Sequence, residues 1–244
     1  MGMSFNTHYV IFDLEATCWD TRDPNCTELE KYKQENEMET IEIGAVKTTS
    51  DFRILDKFTV FCKPRLNPVL SDFCKNLTTI TQKDVDTSKE FRSGYKQFLQ
   101  WSENPTLFVA WGAYDGLQLQ KDCLEHCTRY FGHDRYLNAK ELMRALRGFK
   151  GHGLGKEVRR YNLSFEGTQH RGIDDSIMVA KVMRSAKLER EALEKHSVLS
   201  KIKKRIKEID KQKIKAMLGY GRTENLQGQV DGLTEALLML QEED

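Results

Sequence analysis

Three short apolar segments follow one another near the start of the chain, before any helical pattern begins. The segments are His8–Leu14, Ile41–Thr49 and Lys57–Cys62, and each has the length and apolar content of a β-strand. A turn near Asp51 connects the second segment to the third. Consecutive strands are usually neighbours in a sheet, so this order predicts a three-stranded meander. A sheet is therefore the expected framework of the fold.

The rest of the chain adds helices and a fourth strand. Thr106–Ala110 reads as a buried strand, whereas Trp19–Glu37 is polar, contains Pro24 and is predicted to be a long loop. The predicted helices are Val69–Lys75, Thr81–Val85, Phe91–Ser102, Gly116–Tyr130, Ala139–Arg147, Leu154–Tyr161 and one that begins at Ile173. Three strands, a helical region, a fourth strand and further helices, in this order, predict an α/β fold, with a mixed sheet that is flanked by helices.

Composition excludes several classes of protein. Hydrophobic residues make up 39% of the 244 residues and charged residues 31%, which supports a core beneath a charged surface. The sequence has no run of about eighteen apolar residues, so no membrane span is expected. The first ten residues lack the pattern of a secretory signal, and the 6 cysteines include no CxxC pair. These features predict a cytoplasmic enzyme with reduced thiols.

The end of the chain has an uneven charge. Arg184–Arg222 contains 13 Lys and Arg against 5 Asp and Glu, a net charge of +8, and Thr223–Asp244 has 6 acidic residues and no Lys or Arg. We predict two parts, a domain of residues 1–185 and a charged helical C-terminal extension of residues 186–244. Three roles for this extension are open: a helical hairpin that packs on its own domain, a contact for self-association or a protein partner, and a contact for RNA.

Acidic residues recur where the predicted elements meet. Asp13 and Glu15 are two positions apart at the end of the first strand, so their side chains point to the same face of the sheet. Asp115 follows the fourth strand and Asp175 lies near the start of the last helix. Like charges held together are costly unless cations neutralise them. Four carboxylates in one cavity would suit two Mg²⁺ or Mn²⁺ ions, which prefer oxygen ligands.

One histidine stands out by its position. His170 precedes Asp175 by five residues, in the loop before the helix. An imidazole at this place can take a proton from an attacking water. The other five histidines have no comparable spacing to the acidic motifs and are interpreted as packing or surface residues.

These motifs resemble a known family. FDLEAT (Phe12–Thr17), Tyr114–Asp115 and HRGIDD (His170–Asp175) resemble the DEDDh 3′–5′ exonucleases of the DnaQ-like superfamily, which have a ribonuclease-H-like fold. FDLEATCW, EIGAV (Glu42–Val46) and LSDFCKNLTTITQKDVD (Leu70–Asp86) are similar to the Eri1-type RNA exonucleases and their bacterial KapD-type relatives. The likeness covers roughly residues 8–185.

The resemblance implies a role for each matching residue. His170 matches the general base of the family, and its spacing selects Asp175 rather than Asp174 as the last carboxylate. Tyr114 sits where the Eri1-type enzymes carry an aromatic residue, which leaves base stacking and core packing as alternatives. The metal-binding carboxylates are matched by Asp13, Glu15, Asp115 and Asp175, and the contacts to the terminal nucleotide by Ala16 and Thr17.

The implied activity is metal-dependent removal of nucleoside 5′-monophosphates from the 3′ ends of single-stranded nucleic acid, with RNA favoured over DNA. One alternative is a DNA 3′–5′ exonuclease that acts in repair or proofreading. An alternative of another class is a nucleic-acid or protein binding module with an inactive nuclease core. The sequence departs from the superfamily at LTTIT, where Thr79 replaces a glycine, which could alter a turn near the substrate.

Overall fold

The computed structural model describes residues 8–186, apart from 104, 106, 142 and 144–151, together with Glu208. Residues 187–207 and 209–244 hold nearly all of the predicted C-terminal extension and lie outside this part. Their predicted helices, and the domain boundary near residue 185, stay predictions. Of the predicted helix Ala139–Arg147, residues 139–141 and 143 are described and are helical.

A mixed sheet forms the centre of the domain. Its strands are β1 (Tyr9–Ala16), β2 (Thr40–Thr48), β3 (Ile54–Phe61), β4 (Leu107–Ala110) and β5 (Tyr136–Asn138), in the spatial order β3-β2-β1-β4-β5. The first three strands pair antiparallel, which confirms the predicted meander, and β4 and β5 pair in parallel. The prediction of four strands was wrong because β5 has only 3 residues, too few to show a strand periodicity.

Helices cover both faces of this sheet, as the sequence predicts. They are α1 (Glu28–Asn36), α2 (Asp72–Thr78), α3 (Gln82–Asp86), α4 (Phe91–Ser102), α5 (Tyr114–Glu125), α6 (Leu154–Arg160) and α7 (Gly172–Ser185). Helix α1 corrects the prediction that Trp19–Glu37 is a loop throughout. It buries none of its residues and so shows no apolar stripe. The capping box formed by Thr27 and Glu30 is the signal in the sequence that could have identified it.

The two faces of the sheet differ in what they bury. Val10, Phe12 and Leu14 of β1 point to the face covered by α4, where Phe12 packs against aromatic rings that include Phe98. The other face is covered by α7, whose buried residues are Gly172, Ser176, Ile177, Met178, Val179, Ala180, Val182 and Met183. Asp13 and Glu15 alternate with the apolar residues of β1 and therefore lie on the α7 face.

Two glycines allow α7 to approach the sheet closely. A Cβ atom on Gly44 of β2 would lie 2.0 Å from the backbone carbon of Gly172, and one on Gly172 would lie 2.8 Å from the carbonyl oxygen of Asp13. Any side chain at either position would push the helix away. The close approach brings the first turn of α7, which carries Asp175, next to the end of β1.

Thr79 ends α2 with a φ of 60°, in the left-handed region. Glycine adopts this conformation freely, whereas a β-branched residue is strained there by about 1 kcal/mol. The turn in LTTIT therefore has the backbone that a glycine would favour, and the threonine is accommodated at a cost in stability.

Candidate active site

Four carboxylates from three separate elements meet at one end of the sheet. Asp13 and Glu15 come from the end of β1, Asp115 from the first turn of α5, and Asp175 from the first turn of α7. Their proximity is visible in their electrostatics. Burial raises the pKa of Asp13 well above its usual value, and the charges of Asp115, Glu15 and Asp175 raise it further. The structure thus brings together the four acidic residues that the sequence singles out.

Glu15 is placed by an irregularity in the sheet. The register between β1 and β2 shifts between Glu15 and Ala16, where a bulge turns the end of the strand. The side chain is only 8% exposed. Burial, followed by the charges of Asp175 and Glu42, raises the pKa of Glu15 to about 9. Ionisation of this carboxyl group therefore depends on a nearby positive charge.

Asp115 is held by the backbone of β1. Its Oδ1 atom accepts a hydrogen bond of 3.1 Å from the backbone N–H of Leu14, between the two acidic residues of that strand. Burial raises the pKa of Asp115 to about 6, and the bond from Leu14 opposes this shift. The N-terminus of α5 also favours a negative charge at this position. Helix α5 therefore presents its carboxylate to the end of β1.

His170 has a strained backbone and lies beside Asp175. Its φ is 62°, which is uncommon for a residue other than glycine, and its backbone N–H donates a hydrogen bond of 2.9 Å to Oδ2 of Asp175. Ligand atoms of Glu15, His170 and Asp175 all lie within 4.8 Å of one another. The imidazole is exposed at the mouth of the carboxylate cluster, where it can reach water.

Asp174 points away from the cluster, although it precedes Asp175 directly. Its Oδ2 atom accepts a hydrogen bond of 2.9 Å from the backbone N–H of Thr168. It also lies over Gly167, where a Cβ atom would come within 2.2 Å of the Asp174 carboxyl carbon. Asp174 therefore braces the loop that carries His170, whereas Asp175 faces the other carboxylates.

The predicted nucleotide-contacting residues lie around the same end of β1. Ala16 and Thr17 are buried, and the Thr17 hydroxyl accepts a hydrogen bond of 3.0 Å from the backbone N–H of Glu39. Tyr114, the first residue of α5, is 46% exposed, and its hydroxyl lies 3.9 Å from the sulfur of Met38. Its exposure favours the interpretation of Tyr114 as a surface aromatic over that of a core residue.

One acidic residue of this region was not singled out by its sequence pattern. Glu42 of β2 lies opposite Glu15 in the sheet register and is completely buried. Its carboxylate accepts hydrogen bonds from the guanidinium of Arg171 at 3.1 and 3.2 Å and from the backbone N–H of Gly172 at 3.2 Å. The Glu42–Arg171 pair anchors to the sheet the segment that follows His170. A charged residue inside the otherwise apolar strand Ile41–Val46 was the available signal.

The four clustered carboxylates fit a site for divalent cations. Across the part of the chain that the structure describes, no lysine or arginine side chain donates a hydrogen bond to Asp13, Glu15, Asp115 or Asp175. Buried carboxylates without a cationic partner repel one another, which raises their pKa values. Oxygen donors of this type are the preferred ligands of hard divalent ions. The cluster therefore has the composition of a metal centre.

The comparison with protein families agrees with this geometry. A family model described as an exonuclease, RNase_T, matches residues 10–183 of the chain, a span that contains all four carboxylates and His170. The chain belongs to this exonuclease family. Together with the DEDDh motifs, the match makes it a DnaQ-like 3′–5′ exonuclease.

Individual members of the family are distant relatives. The 3′–5′ exonuclease Snipper of Drosophila melanogaster is 27% identical over 207 residues, which cover 75% of this chain and 70% of Snipper. The probable 3′–5′ exonuclease KapD of Bacillus subtilis is 29% identical over 173 residues, which cover 68% of this chain and 82% of KapD. The human 3′–5′ exoribonuclease 1 is 26% identical over 196 residues, 73% of this chain and 52% of its own length.

Solved structures of exonucleases share the fold. The nuclease domain of 3′hExo, a DEDDh family member bound to rAMP, superimposes with a TM-score of 0.63 at 23% identity and covers 74% of this chain and 92% of its own. Cell-death related nuclease 4 superimposes with a TM-score of 0.60 at 23% identity, over 72% and 62% of the two chains. These similarities confirm the predicted ribonuclease-H-like sheet flanked by helices.

The structure also bears on the predicted absence of a membrane span. Among the residues that it describes, no helix combines the length and the apolar composition needed to cross a bilayer. The predicted cytoplasmic location stays a prediction from the sequence.

Proposed function

We propose that this exonuclease is metal-dependent and removes nucleoside 5′-monophosphates from the 3′ ends of single-stranded RNA. The observation that carries the proposal is the convergence of Asp13, Glu15, Asp115 and Asp175 beside His170. An inactive binding module would have no need for four carboxylates that repel one another. Support for RNA comes from relatives named exoribonucleases, among them the human 3′–5′ exoribonuclease 1.

The four carboxylates would hold the metal ions. Two Mg²⁺ or Mn²⁺ ions bound there would stabilise the attacking and leaving oxygens of a phosphoryl displacement. The chain itself supplies the geometry: the bulge after Glu15, the Leu14 N–H that holds Asp115, and the glycine contact that brings α7 onto β1. These contacts hold the carboxylates in place before substrate binds.

His170 would act as the general base. Its imidazole accepts a proton from the attacking water, the water oxygen bonds to phosphorus, and the bond from phosphorus to the 3′ oxygen of the preceding nucleotide breaks. The leaving 3′ oxygen takes up a proton from solvent and becomes the new 3′ hydroxyl. The products are a nucleoside 5′-monophosphate and a strand shortened by one nucleotide. The backbone bond from His170 to Asp175 and the Glu42–Arg171 pair hold the loop in position for this transfer. Tyr114 would stack on a base or sugar, and Ala16 and Thr17 would contact the terminal nucleotide.

The substrate is tested with two 5′-labelled oligonucleotides of one sequence, one RNA and one DNA. We expect a ladder that shortens from the 3′ end with Mg²⁺ or Mn²⁺, faster for RNA, and no cleavage with EDTA. Faster cleavage of DNA would favour the alternative of a repair or proofreading enzyme. That alternative has support in a DNA polymerase III of PolC type from Clostridium perfringens, which is 26% identical over 86% of this chain, although the match covers only 13% of the polymerase.

The role of His170 is tested by His170→Ala. We expect a loss of about 10³-fold in kcat, with Mn²⁺ binding retained because the four carboxylates remain. Asp174→Ala is the matched control, since Asp174 is adjacent to Asp175 but bonds to Thr168, and its kcat should fall far less. An unchanged kcat in His170→Ala would contradict the assignment of the base.

For the C-terminal extension we propose a contact with RNA, with a protein partner or with a second copy of the chain, on the strength of its charge pattern alone. Deletion from Ser197 onward tests these roles together. Either a lower mass in solution or a weaker RNA affinity is expected. If both stay unchanged, the extension contributes neither to self-association nor to RNA binding.

A further inference from the structure

A groove lies at the edge of the sheet, between β3 and α4. It has a volume of about 500 Å³ and is lined by residues 59–61 of the edge strand and by polar residues of α4 that include Ser93, Lys96 and Gln97. An adjoining groove of about 510 Å³ shares Lys89 and Lys96 with it and continues past Lys63 and Arg92. We call the two together the β3–α4 groove. The carboxylate cluster at the end of β1 includes none of these residues.

The β3–α4 groove is strongly basic. Its lining contains the four cations Lys63, Lys89, Arg92 and Lys96 and a single carboxylate, Glu90. All four cationic side chains are exposed, and within the described part of the chain none of them forms an ion pair or a side-chain hydrogen bond. Cations gathered in this way, with one acidic neighbour, attract an anionic partner.

The backbone adds to the positive potential. Helix α4 has 12 residues and begins at Phe91, directly after the segment that lines the groove, and Glu90 makes no capping hydrogen bond with its side chain. The N–H of Ser93 already donates to the carbonyl oxygen of Glu90 at 2.9 Å, so the contribution of the backbone is the positive end of the helix dipole beside the groove. The hydroxyl of Ser93 supplies a further donor, whereas that of Ser88 already donates to the carbonyl oxygen of Asp84 at 2.6 Å. Phosphate oxygens are the acceptors that match this combination.

The groove lies on the α4 side of the edge strand, whereas the carboxylate cluster lies on the α7 side, and one row of residues in the sheet leads from the cluster to this edge. Glu15 of β1, Glu42 of β2 and Phe61 of β3 lie opposite one another in the register, and Phe61 lines the groove. Neighbouring strands are about 4.8 Å apart, so a substrate strand that follows this row from Glu15 reaches the edge strand after about 10 Å and passes around it into the groove. The Arg171 side chain lies along this row, since its guanidinium carbon is 5.5 Å from the centre of the Phe61 ring. At about 3.4 Å for each nucleotide of a stacked strand, this distance corresponds to about three nucleotides.

We propose that the β3–α4 groove binds the backbone phosphates of the substrate strand, beginning about three nucleotides upstream of its 3′ end. This inference rests on the proposed function, because it assumes a nucleic-acid strand whose terminus enters the carboxylate cluster. Lysine contacts to phosphates carry no sequence information, so the groove would add affinity for long strands without a base preference. An added peptide strand is disfavoured near Lys63, because the Lys63 N–H already donates to Lys89 O at 2.9 Å.

Binding of RNA in the presence of EDTA tests the groove apart from cleavage. The double variant Lys89→Gln/Lys96→Gln is compared with the wild-type protein by fluorescence anisotropy on labelled RNAs of three and twelve nucleotides. For the longer RNA we expect Kd to rise about tenfold in 0.1 M salt, and the slope of log K against log salt to become shallower by about 1.4, for two lost phosphate contacts. Binding of the shorter RNA should not change.

Lys31→Gln/Lys57→Gln is the matched control, since it removes the same charge outside the groove. Lys57 lies on β3, the strand that lines the groove. It interacts electrostatically with Glu166, which forms an ion pair with Lys181 of α7 on the opposite face of the sheet. Equal losses of long-RNA affinity in both double variants, or none in either, would overturn the proposal. So would a twelve-residue polyglutamate that competes with the RNA as strongly as unlabelled RNA does.

Cleavage by the wild-type protein is measured separately, so that the two proposals fail independently. If neither oligonucleotide is cut with metal present, the proposed function is wrong, while the anisotropy series still reports on the groove. Suppose instead that the wild-type protein cuts both RNAs. If Lys89→Gln/Lys96→Gln then binds the longer RNA with the wild-type affinity and cuts it at the wild-type rate, only the groove assignment is wrong.

Discussion

Two sets of buried or half-buried carboxylates lie near the same end of the sheet and have opposite environments. In the proposed catalytic set, Asp13, Glu15, Asp115 and Asp175 face one another, and few protein groups donate hydrogen bonds to them. A supporting set, Glu39, Glu42 and Asp122, has its oxygens bonded by the protein itself. The four carboxylates of the first set can all be ionised only when a cation binds among them. The charges of the second set are compensated by hydrogen-bond donors of the protein itself.

The supporting carboxylates show how that compensation is made. Glu39 accepts hydrogen bonds of 2.9, 2.7 and 3.1 Å from the backbone N–H groups of Arg65, Leu66 and Asn67. Asp122 of α5 accepts a bond of 2.6 Å from the hydroxyl of Thr40. Each of them ties a loop or helix to the start of β2. The hydrogen-bond donors around an acidic residue, rather than its burial, therefore distinguish a proposed catalytic role from a structural one.

The largest difference is expected between Asp13→Asn and the wild-type protein. Removing one carboxylate of the cluster should lower exonuclease activity by about 10³-fold or more, because a metal-binding oxygen is lost. In the metal-free protein at pH 8 the same change should raise the free energy of unfolding, because it removes the cost of burying an acidic group among three others. Kinetics and urea unfolding with EDTA measure both effects. Full activity, or a marked loss of metal-free stability, would break the proposed contrast.

Glu42→Gln should behave in the opposite way. The variant weakens the pair with Arg171, whose side chain is a quarter exposed, and should lower the free energy of unfolding by about 2 kcal/mol with or without metal. We expect kcat to fall about tenfold, because the loop with His170 loses its anchor. Urea unfolding and single-turnover kinetics check this. A gain in metal-free stability like that of Asp13→Asn would place Glu42 in the catalytic set instead.

The pH dependence of metal-free stability tests the same contrast. Burial raises the pKa values of Asp115 and Asp175 to about 6 and that of Glu15 to about 9, so the folded state binds protons more tightly than the unfolded state. The stabilisation is complete below about pH 4, where both states are protonated, and is lost as pH rises through 6 and toward 9. Urea unfolding in EDTA should show this fall, and Mg²⁺ should reduce it. A flat profile from pH 5 to 9 would contradict it.

The smallest effect is expected for Asp122→Asn. An asparagine keeps an oxygen that accepts the hydrogen bond from the Thr40 hydroxyl, and burial raises the pKa of Asp122, so loss of its charge should cost about 1 kcal/mol or less. The kcat/KM should stay within about twofold of the wild-type value. Thermal unfolding and steady-state kinetics measure the two quantities. A large loss of activity with intact stability would move Asp122 toward the catalytic set.

Much of the fold could be predicted from local patterns. The first strand, the meander and the position of α4 follow from apolar periodicity, which a chain shows wherever one side of an element is buried. Helix α1 was missed because it buries no side chain, and β5 because three residues carry no period. Helix α1 depends on its capping box and β5 on its pairing with β4, and neither has an apolar pattern of its own.

The sequence by itself determined which residues could do the chemistry. Asp13, Glu15, Asp115, His170 and Asp175 carry the necessary groups at family spacing, and the structure brings all five to one place. Only the tertiary structure decided how the acidic residues divide their roles. The partner of Glu42 is 129 positions away in Arg171, and that of Asp122 is 82 positions away in Thr40. Because a carboxylate is compensated by whichever donors folding brings to it, its role is settled by packing and not by its neighbours in the chain.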